Sequence, residues 1–276
     1  MSATERPATA RPPAERLPDR LLGAASAAAF ALAAVLGLVV APPDAVQGQA
    51  QRLMYVHVPA AWLAYLCFAA VLVCSVAYLA CRDLRWDRRA QAAAELGVGM
   101  TALAIAMGSL WGRPVWGTWW VWDPRLVTTA VLLLVYLGYL SVRGLSDDRA
   151  AGARRAAAVG VIGFVDVPVV HFSVVWWRTL HQPPTVLSPD PAPMDPRMAA
   201  ALFVSVLAFT LGGLWVVRRR LRVLAAADQV DAVVDEAVDE VVGDAVHHIV
   251  HGGTIEPTEP VIEPTGPLVV ARRERA

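Results

Sequence analysis

The chain has 276 residues, 57% of them hydrophobic, with equal numbers of acidic and basic side chains and a formal net charge of zero. So apolar a composition excludes a disordered chain and an ordinary soluble domain. The neutral charge gives no basic surface for nucleic acid, and no nucleic-acid partner is expected.

Apolar stretches of membrane-crossing length recur along the chain, each of about 20 residues. Six spans are predicted, at 21–42, 58–80, 93–111, 126–142, 153–173 and 198–217. Strand-like alternation is absent, so the expected class is all-α, a polytopic membrane protein of six transmembrane helices in contact with lipid. Three regions follow: an arm over 1–20, a six-span membrane domain over 21–217, and a tail over 218–276.

The arm is polar and Pro-rich. The first apolar run is read as a span rather than a signal peptide, because it is long enough to cross and no clear cleavage site precedes another domain. The first loop leads to Met54-Tyr55-Val56-His57-Val58-Pro59-Ala60-Ala61-Trp62, which places His57 at one end of the second span. Cys67, Cys74 and Cys81, seven residues apart, fall on one face of that span. They fit small packing residues better than a thiol or metal site, and no Cys-x-x-Cys motif is present.

All 24 basic residues are arginine. They cluster in the arm (Arg6, Arg11, Arg16, Arg20), the second loop (Arg82, Arg85, Arg88, Arg89), the fourth loop (Arg143, Arg149, Arg154, Arg155) and the tail. The other loops carry only Arg52, Arg113, Arg125, Arg178 and Arg197. The positive-inside bias therefore predicts cytoplasmic termini and outward-facing first, third and fifth loops.

The third loop holds Trp116-Gly117-Thr118-Trp119-Trp120-Val121-Trp122-Asp123-Pro124-Arg125-Leu126, with four tryptophans in seven residues and Trp111 just upstream. An interfacial aromatic belt is the bland alternative, but belts spread their tryptophans over many helix ends. The density points to a broad apolar surface for a flat ligand. In the fifth span, Asp166 lies two residues before Pro168. A charge at that depth is expensive, and the proline frees the Phe164 carbonyl. Asp166 is read either as a supporting partner of a site or as a buried hydrogen bond between helices. The fifth span ends in His171-Phe172-Ser173-Val174-Val175-Trp176-Trp177-Arg178-Thr179-Leu180-His181-Gln182. His171 reads as a span-end or supporting residue. A loop with six prolines between Pro183 and Pro196 follows.

In the tail, valines at helical spacing alternate with acidic residues over 228–246. This predicts an acidic amphipathic helix, either a docking helix or a solvated tail. His247, His248 and His251 read as an incidental cluster. Residues 252–276 read as disordered.

The topology puts His57, His181 and the tryptophans on one side. A planar macrocycle with a central iron needs apolar faces, axial imidazoles and cations for its carboxylates. Haem fits all three. His57 and His181 are the candidate axial ligands, and Arg113, Arg125 and Arg178 stand near enough in sequence to meet propionates.

The three segments together resemble the tryptophan-rich ("WWD") haem-handling membrane proteins, in particular the six-span CcmC-type branch of system I cytochrome c maturation. The resemblance covers residues 21–217 and excludes the arm and tail. It implies a haem-delivery subunit that is not an enzyme, located in the cytoplasmic (inner) membrane with its site on the outer, periplasmic face. Its cargo would be haem b held by His57 and His181. Trp116, Trp119, Trp120, Trp122 and Asp123 would form a platform, with Arg125 and Arg178 beside it. It implies as partners a CcmE-type haem chaperone, CcmA- and CcmB-type ABC transporter subunits and a small CcmD-type subunit. The chain has no phosphate-binding glycine loop of its own. Two alternatives remain: a haem-lyase subunit, whose relatives are larger, and a b-type redox cytochrome, which would carry histidine pairs inside its spans.

Overall fold

A computed structural model describes residues 17–145, 148–181 and 194–251. Its elements are helices: α1 (Leu17–Val35) continued by a π turn (Leu36–Val40), a 3-10 turn (Gln49–Leu53), α2 (Met54–Cys81), α3 (Leu84–Trp116), α4 (Pro124–Ser141), a 3-10 turn (Val142–Leu145), α5 (Arg149–Gly163), α6 (Asp166–Trp176) and α7 (Pro196–His251). Six helical segments among the described residues are long and apolar enough to cross a membrane. The all-α, six-span expectation is borne out.

The chain divides into two compact units, Met1–Ala225 and Ala226–Ala276. In the first, α2 and α3 form the central hairpin. Its core gathers Phe68 and Val71 of α2, Ala90, Ala93 and Ala94 of α3, Leu132, Tyr136 and Tyr139 of α4, and Ala156 of α5. Phe68 stacks on Tyr136 with centroids 3.8 Å apart. Small residues bring these helices together, because lipid offers no hydrophobic drive and close packing must supply the attraction. Gly97 shows the tolerance: a Cβ there would stand 2.7 Å from Phe68 Cε1. α7 packs along α1 through Phe209 and Phe30, and Gly213 lies under Leu63 of α2. Cys67 and Cys74 are buried among these packing residues, and Cys81 is an exposed thiol.

Three expectations are corrected. Residues 17–20, placed in the arm, open α1, and Asp19 is buried against Arg218 (2.9 Å) and Arg222 (3.1 Å) of α7. The second loop shrinks to Arg82 and Asp83, because Asp83 caps α3 by accepting the Arg85 N–H. Arg85, Arg88 and Arg89 thus ride on the first turns of α3, beyond its apolar stretch. The fifth span is two helices. Pro168 has no N–H for the Phe164 carbonyl, which accepts from Val167 instead at 3.0 Å.

Ion pairs tie the arginine-rich end of the bundle. Asp87 of α3 meets Arg143 at 2.8 Å, and Glu95 meets Arg220 of α7 at 2.8 Å. In the second unit, the stretch over 228–246 is helical within α7 and its valines are exposed. The proline loop over 183–193, residues 1–16 and residues 252–276 lie outside the described residues, as do the side chains of His248 and His251.

Candidate functional site

His57 occupies the first turn of α2. Its Nδ1 lies 2.8 Å from the Ala104 carbonyl oxygen of α3. A carbonyl only accepts, so this contact puts the proton on Nδ1 and leaves the Nε2 lone pair unused. The approach needs Gly108, where a Cβ would stand 3.0 Å from His57 Cε1. One turn on, Trp111 meets the imidazole edge-on at 5.9 Å, and its indole N–H donates to Gln47 Oε1 at 2.9 Å.

The tryptophan run begins as α3 ends. Trp116 is its last residue, and Gly117 adopts the left-handed φ of 77° that closes the helix, its N–H donating to the Arg113 carbonyl. The Arg113 guanidinium in turn donates to the Gly117 carbonyl. Residues 117–123 are non-helical until Asp123 and Pro124 start α4, a capping acid followed by proline at the first helical position.

Asp123 does two jobs from a buried position. Its Oδ1 accepts the Leu126 N–H at 2.9 Å, which caps α4. Its Oδ2 accepts from the Leu180 N–H at 3.3 Å and stands 3.2 Å from His181 Nδ1. The carboxylate thereby fixes the second imidazole as the Ala104 carbonyl fixes the first, with Nδ1 protonated and Nε2 open. Trp116 packs edge-on against His181 at 4.9 Å. Burial pushes the His181 imidazole below its ordinary pKa, while the hydrogen bond to Asp123 pulls the other way. The net result is a neutral ring at neutral pH, the form that binds a metal. His181 and Arg125 both lie near enough to His57 to act on it electrostatically.

The remaining candidates separate into inward and outward groups. Trp119 is 55% exposed and Trp122 85%. Trp120 is half-buried and edge-on to Trp122. Arg125 reaches across to α6 and donates to the carbonyls of His171 (3.2 Å) and Val170 (3.5 Å). Arg178 is exposed. His171 is exposed and touches Tyr65 and Phe172 edge-on. Two donors in the run, Trp120 Nε1 and Arg125 Nε, are buried with no hydrogen-bond partner among the described residues. No cluster of three metal-holding side chains occurs among the described residues.

Sequence reading did not assign Gly108, Gln47 or Trp111 to the surroundings of His57, since each contact is made across helices. The double role of Asp123 left one signal in the sequence. Asp-Pro before an apolar run marks a helix start, which turns that side chain back toward its own backbone rather than outward.

The family model of Heme exporter protein C matches residues 4–234. Heme exporter protein C of Bradyrhizobium diazoefficiens is 40% identical over 188 residues, covering 67% of this chain and 72% of that one. Heme exporter protein C of Escherichia coli K12 is 36% identical over 203 residues, 74% of this chain and 82% of that one. A putative cytochrome c biosynthesis ccmC-like mitochondrial protein of Marchantia polymorpha is 39% identical over 157 residues, 56% of this chain and 66% of that one. With most of its length matched and six apolar helices in place, the chain belongs to the heme exporter protein C family.

Proposed function

We propose that this chain binds haem b at the tryptophan end of its bundle and delivers it for c-type cytochrome maturation, as a membrane subunit rather than a catalyst. The carrying observation is the state of the two histidines. Each gives its Nδ1 proton to an acceptor, the Ala104 carbonyl or the Asp123 carboxylate, and keeps Nε2 free. Metal-binding histidines are oriented in this way by the partners of their other nitrogen. His57 and His181 are therefore the axial ligands. Trp116 and Trp120 supply apolar walls, and the unused Trp120 Nε1 and Arg125 Nε suit a carboxylate-bearing ligand. Arg178 stands at the exposed rim.

The exposed Trp119 and Trp122 offer an edge to a second protein, in our reading the CcmE-type chaperone. The complex would include CcmA- and CcmB-type transporter subunits and a CcmD-type subunit, and the site would face outward from the cytoplasmic membrane. The names of the relatives support export and cytochrome c biosynthesis. The optical spectrum of the purified protein tests the reading. Wild type should show bis-imidazole haem, and His57→Ala and His181→Ala should each lose or alter it. A wild-type spectrum in both variants overturns the ligand assignment.

A further inference from the structure

A groove of about 470 Å3 opens between α4 and the broken fifth span, lined by Val131, Val135, Ile162, Gly163, Val165 and Asp166 among others. Its rims are bare, with Ile162 72% and Val165 65% exposed. At its floor Asp166 Oδ2 is buried with no hydrogen-bond partner among the described residues. Ten residues separate Asp166 from Trp176 at the end of α6. At a rise of about 1.5 Å per residue that is roughly 15 Å, half the hydrocarbon thickness. A buried carboxylate oxygen near the bilayer centre with no donor is costly, and such groups pair with another polar group.

No hydrogen bond from a neighbouring helix reaches Asp166 Oδ2 among the described residues. Thr128 and Thr129 of α4 give their hydroxyls to the carbonyls of Pro124 and Arg125, and Tyr136 gives its hydroxyl to the Gly160 carbonyl. A second copy of the chain is no better placed. The sequence has no lysine, and Thr101, Ser205 and Thr210 are likewise bonded to their own helix carbonyls. A lipid chain would fill the groove yet leave the carboxyl unpaired, and an anionic ligand such as haem would be repelled.

We propose that the α4/α5–α6 groove seats one transmembrane helix of a partner subunit, which presents a cationic, hydroxyl or amide donor to Asp166. The inference depends on the chain spanning a membrane and is independent of the haem ligands.

Photo-crosslinking in native membranes tests it, with benzoylphenylalanine in place of Ile162 and, as a control, of Phe203, which is 71% exposed on α7. The expected result is a protein adduct from position 162 whose peptide is a transmembrane segment carrying a donor residue at mid-depth. An interhelical hydrogen bond of about 1–2 kcal/mol predicts roughly tenfold less adduct in Asp166→Leu, with most retained in Asp166→Asn. Val131→Trp, which fills the groove without removing the carboxyl, should lose the adduct too, while the haem spectrum of all three variants stays that of wild type. An adduct with lipid alone or with a second copy of this chain overturns the proposal. So does a peptide without a donor, a yield indifferent to Asp166→Leu, or the same peptide in equal yield from position 203.

Discussion

At the scale of single residues, Asp123 links the start of α4 to the orientation of His181, a ligand in the proposed haem site. One oxygen caps α4 and the other orients His181. The two jobs separate by substitution. Asparagine is as good a helix cap as aspartate, so Asp123→Asn should keep the α4 cap and lose only the acceptor for the Leu180 N–H and His181. It should weaken haem affinity about 10- to 100-fold, the usual cost of losing a carboxylate behind a metal-bound histidine. Asp123→Ala should lose affinity and also about 1 kcal/mol of stability. Haem titration beside a melting curve checks both. Gly108 is the matching device for His57. Gly108→Val should displace the imidazole and disturb the bis-imidazole spectrum, because the ring already stands within 3.0 Å of where a Cβ would lie. Trp119, exposed and without a packing role, should behave differently again. If the proposed hand-over to a CcmE-type chaperone holds, Trp119→Ala should reduce that transfer while the protein keeps its own spectrum. The residue types were readable from the sequence, because four tryptophans in seven residues and two histidines at span ends have few structural uses. Their partners were not, since Ala104 and Gly108 reach His57, and Gln47 reaches Trp111, only through the packing of helices and connections.

At the scale of elements, the departures from hydropathy reading have local chemical causes. Helices α2 and α3 run past the apolar stretch because Asp83 caps α3 and Arg82 adopts a left-handed φ of 57°, leaving two residues for the turn. The fifth span breaks because Pro168 removes one backbone donor. The extended ends of α3 and α4 are joined by Asp87 and Arg143, whose side chains are 2% and 14% exposed. Removing one partner from so buried a pair should cost about 3–5 kcal/mol, because the other charge is left uncompensated. Asp87→Ala should therefore lower the melting temperature in detergent sharply. Replacing both, as Asp87→Leu with Arg143→Met, should recover most of the loss.

At the scale of the whole molecule, alternation of the spans decides which groups share an end. The connections at 41–53, 117–123 and 177–181, with the helix ends beside them, carry His57, His181, the tryptophan run and few arginines, and the opposite end carries the Asp87–Arg143 and Glu95–Arg220 ion pairs. The orientation read from arginine placement predicts that Trp122→Cys reacts with a membrane-impermeant thiol reagent from outside in intact cells. Native Cys81, exposed at the other end of α2, should react only after the membrane is opened. The reverse pattern would invert the topology.

The sequence by itself determined the class and the number of spans, and it set His57, His181 and the tryptophan run toward one end of the bundle. Hydrophobic length and arginine placement are one-dimensional properties, set by bilayer thickness and by charge. Only the tertiary structure decided which nitrogen of each imidazole is free, that a capping carboxylate orients His181, and that Asp166 opens into a groove without a donor. Each of these depends on distances of a few ångströms between helices far apart in the chain. Such distances follow from the fit of small residues and rings at the helix contacts, which spacing along a single chain does not encode.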